Sequence, residues 1–598
     1  MYDCYTMSPF ILFDDALTGR AFLLHDWVCQ DTLSPEQLPL LDETLQAAWA
    51  KNWHAALWID YEFGLGLQKL PAAKSSLHLF WFAQKTPIDD VPTWLQQQGG
   101  DEPAGLSAPR WSSNQAEYER DIDCILAAIA RGDCYQINHT LRLYTQTYGS
   151  PIRLYARLRQ AVPYAVLACL PNGEWTLCFS PELFLRINAQ GSLHTEPMKG
   201  TAPILGDEND TARAIALQND PKNRAENTMI VDLLRNDLGK IATVGGVSVP
   251  APFSVNAFGS VWQMTSLVQA QLPAATTMAQ IVQAAFPCGS ITGAPKRKSM
   301  EMIAQLEREP RQLYTGSIGY LEHAPNTLLG FSGCLNVVIR TLQLRPHDQA
   351  ACTFDGIYGV GSGIVADSQA VSEYAECGWK ARFISELRPE FALFETMRVA
   401  QNQIAWLDDH LARLAHSAAQ CNIPFCATSA LHAIEQTLPM LDANRVYRLK
   451  LRLEPTGSLH LEHAPIAPLP DAINVLIAPD VLPTHDFLRR YKTTHRAQFD
   501  RAWQWAEQHG AFDALLFNEQ GYLLEGGRSS VIVRYQNQWL TPAEDLDVLP
   551  SVALKNWQGE AVQAAWISRE QVQQAEQIWL GNALRGWRLA KSVSYTHL

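Results

Sequence analysis

The tripeptide Arg388-Pro389-Glu390 constrains this chain more than any other feature, because it ends a long helical pattern. Proline cannot continue a helix, since it lacks a backbone N–H and restricts the residue before it. The 598 residues are also too many for one hydrophobic core. We therefore predict two large parts, residues 1–388 and 389–598, that are joined without a long linker and dock closely.

The composition limits the classes of partner. Apolar residues make up 47% and charged residues 18% of the sequence, so a large buried interior is expected. The net charge of −14 disfavours nucleic acid and anionic membrane as the main partner, and an anionic substrate would need local cations. The twelve cysteines form no C-x-x-C pair, and neither a signal peptide nor a membrane-spanning apolar run is visible. We expect a cytoplasmic protein with reduced thiols.

A helix followed by a strand with one polar face is predicted in the first part. Asn114 and Glu117 form a capping-box pattern at the start of the helix, and Gly132 ends it. Residues 135–143 then alternate as a strand, with Gln136 on the polar face. We expect that polar face to form the floor of a ligand site.

One lysine lies in a segment that predicts a short, constrained turn, Glu196-Pro197-Met198-Lys199-Gly200-Thr201. Proline fixes one φ angle, and glycine permits a close approach that a side chain would block. Such a turn can hold the Lys199 amine still against a ligand. A solvated loop lysine is the alternative, and the surrounding motifs favour the ligand site.

Two helical stripes place carboxylates where apolar side chains point. Glu226 begins a stripe of apolar residues, and Glu373, Glu376 and Lys380 share one face of a later helix. A carboxylate in such a position must be paired or bind a cation, because an isolated buried charge is costly. Mg²⁺ prefers a few carboxylates together with substrate oxygens and water. The alternative is ordinary ion pairs on helix surfaces.

Ordered motifs run from residue 114 to residue 386. They are Gly132-Asp133-Cys134-Tyr135-Gln136, Ser180-Pro181-Glu182, Pro197-Met198-Lys199-Gly200-Thr201, Ala225-Glu226-Asn227 with Asp232 to Asp237, Gly289 to Lys296, Gly316-Ser317-Ile318-Gly319-Tyr320, Gly361 to Ser368, and Glu373 to Lys380. In this order they resemble the motifs of chorismate-utilising enzymes, the family of anthranilate, aminodeoxychorismate and isochorismate synthases. The resemblance implies an α+β fold, a two-sheet sandwich with outer helices. Residues 111–388 would be the chorismate-binding part, and residues 1–110 match only loosely.

The resemblance implies roles for the motif residues. Glu226 and Glu376 would hold Mg²⁺ bridged to the ring carboxylate of chorismate, with Glu373 nearby. Glu182 would be the general acid that protonates the departing C4 hydroxyl, which requires a pKa above the reference of about 4.3. The implied substrate-binding residues are Gln136, Thr201, Tyr320, Arg340, Gly361, Gly363 and Lys380. Lys296 is either a further partner of the second carboxylate or a structural residue.

Three positions separate the reactions of this family. Members that add water at C2 carry a lysine base where this chain has Gln136, and glutamine cannot take a proton from water. Lys199 stands where anthranilate and isochorismate synthases carry a small residue, and a neutral amine is a competent nucleophile. We hypothesise that Lys199 attacks C2 while Glu182 expels the C4 hydroxyl, and that ammonia then displaces the lysine. Gln263 replaces a histidine that is thought to assist pyruvate elimination, which disfavours the alternative of anthranilate synthesis.

Further motifs run through residues 391–590. They are Glu395-Thr396-Met397-Arg398, His410 to Leu414, Tyr491 to Arg496, Leu524-Glu525-Gly526-Gly527, Thr541-Pro542, Leu549-Pro550-Ser551 and Gly581 to Gly586. They resemble those of fold-type IV pyridoxal-phosphate enzymes, which include aminodeoxychorismate lyase and the D-amino-acid and branched-chain aminotransferases. The resemblance implies a two-lobed fold, with a small lobe over residues 389–468 and a large lobe over residues 469–598.

The second resemblance also implies site residues. Lys492 would carry pyridoxal phosphate on its amine and serve as the proton-transfer base, and Glu525 would pair with the pyridine nitrogen. Arg413, with the amides of Val552 and Ala553, would bind the phosphate. The sequence departs from the pattern at three positions that commonly carry Gly, Arg and Asn, namely Ser551, Lys555 and Ser530.

Together the two parts would make 4-aminobenzoate, a folate precursor, from chorismate and ammonia, using Mg²⁺ and pyridoxal phosphate. No Cys/His/Glu glutaminase module is visible, so we expect ammonia from a separate glutamine amidotransferase subunit or from solution. Two alternatives stay open for residues 391–590. They could be a non-catalytic docking module for the amidotransferase, or an aminotransferase that acts on another substrate.

Overall fold

The chain mixes helices and strands in both parts, which confirms the α+β class. The computed structural model describes residues 7–72, 75–258, 261–347 and 353–594. Among these residues, no helix is long and apolar enough to cross a membrane.

Nineteen strands of the first part are joined by hydrogen bonds into one network. They are β1 (Phe10–Asp15), β2 (Arg20–Leu33), β3 (His54–Ile59), β4 (Leu77–Ile88), β5 (Gly105–Leu106), β6 (Arg110–Trp111), β7 (Gln136–Tyr148), β8 (Tyr164–Cys169), β9 (Trp175–Ser180), β10 (Leu183–Ile187), β11 (Ser192–Glu196), β12 (Met198–Pro203), β13 (Val247–Phe258), β14 (Val261–Gln271), β15 (Gly293–Ala294), β16 (Ser317–His323), β17 (Phe331–Asn336), β18 (Thr341–Pro346) and β19 (Thr353–Ile364).

Ten α-helices accompany these strands in the described residues of the first part. They are α1 (Leu41–Trp49), α2 (Tyr61–Leu67), α3 (Val91–Gly99), α4 (Gln115–Ala130), α5 (Pro151–Leu158), α6 (Asp210–Asn219), α7 (Pro221–Gly239), α8 (Met278–Ala285), α9 (Lys296–Leu306) and α10 (Ala370–Ser385). A large hydrophobic core that includes residues of α1, α4, α7 and α10 packs these helices onto the strands.

The predicted start of α4 is confirmed. Asn114 accepts a hydrogen bond from the backbone N–H of Glu117 at 3.0 Å, and the Glu117 side chain accepts one from the Asn114 N–H at 3.3 Å. The helix buries Tyr118 and Ile122 on its apolar face, and Gly132 follows its end at a φ of 80°. The next strand, β7, begins at the polar residue Gln136.

Two long strands fix the floor of the first site. β7 pairs antiparallel with β19 over all but its first residue, from Tyr148 opposite Thr353 to Ile137 opposite Ile364. At the same end of β7, Ala294 of β15 lies opposite Gln136. The register therefore brings the start of β7 next to Gly363, near the end of β19.

The turn predicted around Lys199 is wrong, because this residue lies in a strand. On β12, Met198 pairs with Thr265 and Thr201 pairs with Gln263, so Lys199 and Gly200 together oppose a single residue of β14. This is a β-bulge, with Gly200 at a φ of 84°. The bulge constrains the lysine as the turn was expected to do. It depends on pairing with a strand some sixty residues away, which local sequence patterns do not reveal.

The second part contains a four-stranded and an eight-stranded sheet. Its strands are β20 (Leu393–Ala400), β21 (Gln403–Ile404), β22 (Tyr447–Leu453), β23 (Leu459–Pro465), β24 (Ala472–Leu482), β25 (Asp513–Asn518), β26 (Leu523–Gly526), β27 (Ser530–Tyr535), β28 (Gln538–Pro542), β29 (Val562–Ala565), β30 (Gln577–Asn582) and β31 (Gly586–Ser594), and its helices are α11 (Leu407–Gln420), α12 (Ala427–Thr437), α13 (Ala497–Gln508), α14 (Val552–Lys555) and α15 (Arg569–Gln573).

The two parts contact each other directly. Tyr148 at the end of β7 stacks on Phe487, with ring centroids 5.4 Å apart, and belongs to a hydrophobic cluster otherwise made of residues after 390. Arg153 pairs with Glu390 at 2.7 Å. Aromatic packing and an ion pair therefore hold the junction together.

Candidate functional sites

A cavity of about 640 Å³ in the first part collects most of the residues predicted to bind chorismate. The predicted residues that line it are Glu182, Lys199, Thr201, Glu226, Arg340, Gly361, Gly363, Glu373, Glu376 and Lys380. Gln263 lines it as well. These residues come from strands β12, β14 and β19, from the loops before β10 and β18, and from helices α7 and α10, so the strand pairing is what assembles the set.

Two of the three residues expected to distinguish the reactions of the family, Gln136 and Lys199, lie together at Gly363. A Cβ atom built on this glycine would lie 2.9 Å from Gln136 Nε2 and 3.1 Å from Lys199 Nζ. Gln136 is fully buried, and neither polar atom of its amide has a hydrogen-bond partner among the described residues. Burial lowers the pKa of the Lys199 amine, and Lys380 adds to this, whereas Glu226 opposes it. The amine is therefore held near an unsatisfied amide with an increased neutral fraction.

Glu182 is buried in the same cavity. It follows β9 in the loop to β10, and its Oε1 accepts a hydrogen bond from Ser290 Oγ at 2.6 Å. Burial raises the pKa of Glu182, although Ser290 and Lys199 act in the opposite direction. A carboxyl group in this setting keeps its proton to a higher pH, as a general acid requires. Ser290 was missed by sequence reasoning, although its motif was recognised.

Three carboxylates from two helices line the cavity. Burial raises the pKa of Glu226 on α7, and the nearby Glu373 and Glu376 of α10 raise it further. Glu376 pairs with Lys380 at 2.7 Å, and this cation holds the pKa of Glu376 low in spite of burial. Within the described residues, no three acidic, His or Cys side chains are close enough to hold a metal ion as they stand. The three carboxylates nevertheless offer only oxygen ligands and repel one another, and Mg²⁺ prefers such ligands.

The cationic side chains of the first part differ in the interactions that they make with other residues. Lys380 also donates to the Gly361 carbonyl at 2.7 Å. Arg340 has a φ of 50° and no ion-pair partner in the described part of the chain, and burial lowers its pKa. Arg340 is therefore available to an anionic ligand. Lys296 lies elsewhere, in a buried ion pair with Asp237 at 2.6 Å, which favours its structural alternative.

Tyr320 is not brought to this cavity. Its ring packs against Phe13 and Phe22, with centroids 5.1 and 4.9 Å away, and Lys85 lies over it. Thr315, the residue just before the same motif, lines the cavity. Five further residues at about 3.3 Å each carry Tyr320 up to roughly 16 Å along the chain. None of the motif residues Gly316 to Tyr320 lines the cavity.

A second cavity, of about 790 Å³, lies between the lobes of the second part. All five residues predicted to bind the cofactor line it, namely Arg413, Lys492, Glu525, Val552 and Ala553. Of the three departures from the pattern, Ser530 and Ser551 line the cavity. Lys555 instead pairs with Asp409 at 2.6 Å.

The pKa values of Lys492 and Glu525 are shifted in opposite directions. Burial lowers the pKa of Lys492 to about 7, helped by Arg496 and Arg413. Burial raises the pKa of Glu525 to about 7, against the effect of Arg489. The buried Oε1 of Glu525 has no hydrogen-bond partner among the described residues. A protonated pyridine nitrogen would satisfy this atom, so the residues present fit pyridoxal phosphate.

Arg413 is held in place by a buried carboxylate that sequence reasoning missed. Its guanidinium donates to both oxygens of Glu395, at 2.8 and 2.6 Å, and to the Pro550 carbonyl at 2.7 Å. Glu395 also lies 2.7 Å from His410 Nδ1, and despite its burial the Arg413 guanidinium and the hydrogen bond with His410 lower its pKa to about 2. Glu395 and His410 belong to recognised motifs, but only the packing of α11 on β20 reveals their contact.

Two family models match the chain, one in each part. The family model described as chorismate binding enzyme matches residues 36–386, and the chain belongs to this family. The amino-transferase class IV model matches residues 392–593. Both resemblances drawn from the motifs are thereby confirmed.

Two curated relatives are similar to the first part. Aminodeoxychorismate synthase component 1 of Klebsiella aerogenes is 40% identical over 290 residues, which is 47% of this chain and 61% of that protein. The protein of the same name from Escherichia coli (strain K12) is 39% identical over 271 residues, which is 44% of this chain and 56% of that protein. The match therefore spans less than two thirds of either relative.

A solved structure supports the fold. A candidate 2,3-dihydroxybenzoate-specific isochorismate synthase of Bacillus anthracis superposes with a TM-score of 0.52 and 18% identity, over 64% of this chain and 96% of that one. At this identity the likeness concerns the fold alone. The choice between reactions must come from the residues in the cavity.

Proposed function

We propose that the first cavity converts chorismate and ammonia into 4-amino-4-deoxychorismate. The observation that carries this proposal is the position of the Lys199 amine, which lies beside Gln136 at Gly363 and shares its cavity with the buried Glu182. A reaction that adds water would need a base at position 136, and an amide cannot serve. The relatives named aminodeoxychorismate synthase component 1 support the same choice.

The reaction would proceed in two displacement steps, and Lys199 and Glu182 would take part in both. In the first, a bond forms between Lys199 Nζ and C2, both ring double bonds shift toward C4, and the C4–O bond breaks. Glu182 donates its proton, and the hydroxyl leaves as water. In the second, ammonia bonds to C4, both double bonds shift back and the C2–Nζ bond breaks. The proton lost by the new ammonium group returns to Glu182.

Charged groups around the cavity would orient the dianionic substrate. Arg340 would bind one carboxylate, because it is buried and has no ion-pair partner among the residues that the structure describes. Glu226, Glu373 and Glu376 would hold Mg²⁺, which when bound would neutralise the other carboxylate and withdraw electrons from the ring. Lys380 already pairs with Glu376 on α10 and donates a hydrogen bond to the Gly361 carbonyl on β19, so it would hold this helix and this strand together.

We infer that the second cavity eliminates pyruvate from 4-amino-4-deoxychorismate to give 4-aminobenzoate. Pyridoxal phosphate, when bound, would supply an electron sink, held by Arg413 at its phosphate and Glu525 at its ring nitrogen. Lys492 would remove the proton from the ring carbon that bears the amine, the C3–O bond would break, and the released enolpyruvate would take up a proton. A pKa of about 7 suits Lys492 to this proton transfer.

The ammonia source is part of the proposal. We infer that a separate glutamine amidotransferase subunit supplies it, and that ammonium salts replace this partner in vitro. The product, 4-aminobenzoate, would serve folate synthesis.

One incubation separates the candidate functions. The pure chain is given chorismate, Mg²⁺ and an ammonium salt, with and without pyridoxal phosphate, and the products are identified by mass spectrometry. 4-Aminobenzoate formed only with the cofactor supports both proposals. Anthranilate would overturn the first. Accumulation of aminodeoxychorismate in the presence of the cofactor would overturn the second and favour a docking module.

A further inference from the structure

The second cavity carries more positive charge than the proposed cofactor requires. Arg413 is assigned to the phosphate, yet five more cationic side chains line the cavity, namely Arg448, Lys450, Arg496, Arg528 and Arg585. The chain as a whole has a net charge of −14, so this concentration of cations is a local property.

Two of the five cations are neutralised by carboxylates. Arg496 pairs with Asp500 at 3.2 Å. Arg528 pairs with Glu507 at 2.9 Å. These two arginines therefore need no ligand to balance their charge.

The other three cations have no carboxylate within 4.0 Å among the described residues. Arg448 and Lys450 are two residues apart on β22, so they extend from the same face of the small sheet. Arg585 lies across the cavity in the turn between β30 and β31. Burial lowers the pKa of Arg585, and the nearby Arg528 adds to the effect. Like charges gathered in this way are relieved by an anion.

The unpaired set lies close to the reacting lysine. Lys450 Nζ is 5.2 Å and Lys492 Nζ is 4.8 Å from the centroid of the Phe394 ring. A small ligand that reacts at Lys492 could therefore reach Lys450 with a group elsewhere in its structure.

The geometry points to Arg448, Lys450 and Arg585 as an anion site that binds the carboxylate of the enolpyruvyl side chain of the amino substrate, several bonds away from its reacting amine. The cavity then selects amino compounds with two carboxylates over those with one. This inference rests on the proposed function, since 4-amino-4-deoxychorismate carries two carboxylates. It also accounts for discrimination against simple amino acids, which carry a single carboxylate near the amine.

The test compares two unreactive probes. 3-(Carboxymethoxy)benzoate carries both carboxylates and no amine, and 3-methoxybenzoate carries one carboxylate. Calorimetric titration is performed on the full chain with pyridoxal phosphate and on its Lys450→Gln and Arg448→Gln variants. The first cavity is unaltered in each variant, so differences between proteins report the second cavity. We expect each variant to lose about tenfold in affinity for the dicarboxylate, the effect of one charge-assisted hydrogen bond, and less than about twofold for the monocarboxylate.

A matched control lies on the same strand. Arg452 extends from the same face of β22, pairs with Glu454 at 2.7 Å and does not line the cavity. Arg452→Gln should bind both probes as the parent chain does. An equal loss for both probes, no loss for either, or loss of the cofactor absorbance band in Lys450→Gln would each overturn the inference.

Failure of the proposed lyase reaction would look different. A chain that makes no 4-aminobenzoate but shows Lys450-dependent preference for the dicarboxylate would refute the reaction and support the anion site. A Lys450→Gln variant that makes 4-aminobenzoate with an unchanged KM would refute the anion site and support the reaction. With the inference correct, KM rises about tenfold in that variant while kcat changes little.

Discussion

At the scale of single residues, the first cavity depends on a close approach at Gly363. Lys199 Nζ and Gln136 Nε2 both lie about 3 Å from the position that a Cβ atom would take there. The sequence alone could single out Lys199 and Gln136, because each departs from a family pattern at a position that decides the reaction. It could not show that they meet, because the contact requires the long pairings of β12 with β14 and of β7 with β19.

Gly363→Ala should reduce synthesis of aminodeoxychorismate at least tenfold while the chain stays folded. The added methyl group displaces the ends of two flexible side chains rather than backbone, so we expect a loss of stability below about 1 kcal/mol. Product formation and thermal unfolding measure the two effects. Gly378→Ala on α10 is the control, because its Cβ would meet no atom of the described part of the chain within 4 Å. Full activity in Gly363→Ala would show that the amine is not confined there.

The pKa of Lys492 predicts how the rate of cofactor capture depends on pH. Burial lowers this pKa to about 7, and the neutral amine is the form that reacts with a carbonyl group. The rate at which the visible cofactor band develops in cofactor-free chain should rise with pH up to about 7 and level off above about 8. A lysine with an ordinary pKa near 10.4 would instead gain nearly tenfold per pH unit through pH 9 or so. Continued increase above pH 8 would contradict the account.

At the scale of elements, helix patterns were the more predictable features. The 3.6-residue period placed Glu226 on α7 and Glu373 and Glu376 on α10, and the structure brings all three to one cavity. Strand features were predicted less well. The bulge at Lys199 and the position of Tyr320 both depend on which strand pairs with which, and local sequence does not contain that information. The pairing of Arg413 with Glu395 was missed because it depends on the packing of helix α11 on strand β20.

The bulge predicts a specific loss. Gly200→Ala forces a left-handed conformation on a residue with a side chain, at about 1–2 kcal/mol, and its Cβ would lie 2.8 Å from the Asn223 side chain. We expect lower thermal stability and a loss of synthase activity as Lys199 shifts. Gly206→Ala shares the strained φ, at 75°, but its Cβ would meet no atom within 4 Å in the residues described by the structure. This control should lose comparable stability and keep its activity; equal activity loss in both variants would argue against positioning by the bulge.

At the scale of the whole molecule, the two parts share a packed junction while each keeps its own cavity. Tyr148 is the buried residue of the first part that joins the hydrophobic cluster of the second. Tyr148→Ala should destabilise the junction by roughly 3–5 kcal/mol, as for other buried aromatic truncations. Calorimetric unfolding should then resolve separate transitions for the two parts.

Tyr144→Ala provides the comparison for this junction. Tyr144 lies on the same strand and is half-buried, and its side chain faces Arg110 and Glu309 within the first part. The Tyr144→Ala variant should leave the calorimetric unfolding profile close to that of the parent chain. A Tyr148→Ala profile that matches it would mean that the stacking on Phe487 contributes little to docking.

Peptide mass spectrometry of the chain, after incubation with chorismate and Mg²⁺ without ammonia, tests most directly whether Lys199 forms a bond to chorismate. The peptide containing Lys199 should gain the mass of one chorismate less one water, and addition of ammonium should remove this gain and release aminodeoxychorismate. Absence of the adduct, together with full product formation by Lys199→Ala, would contradict the formation of this bond.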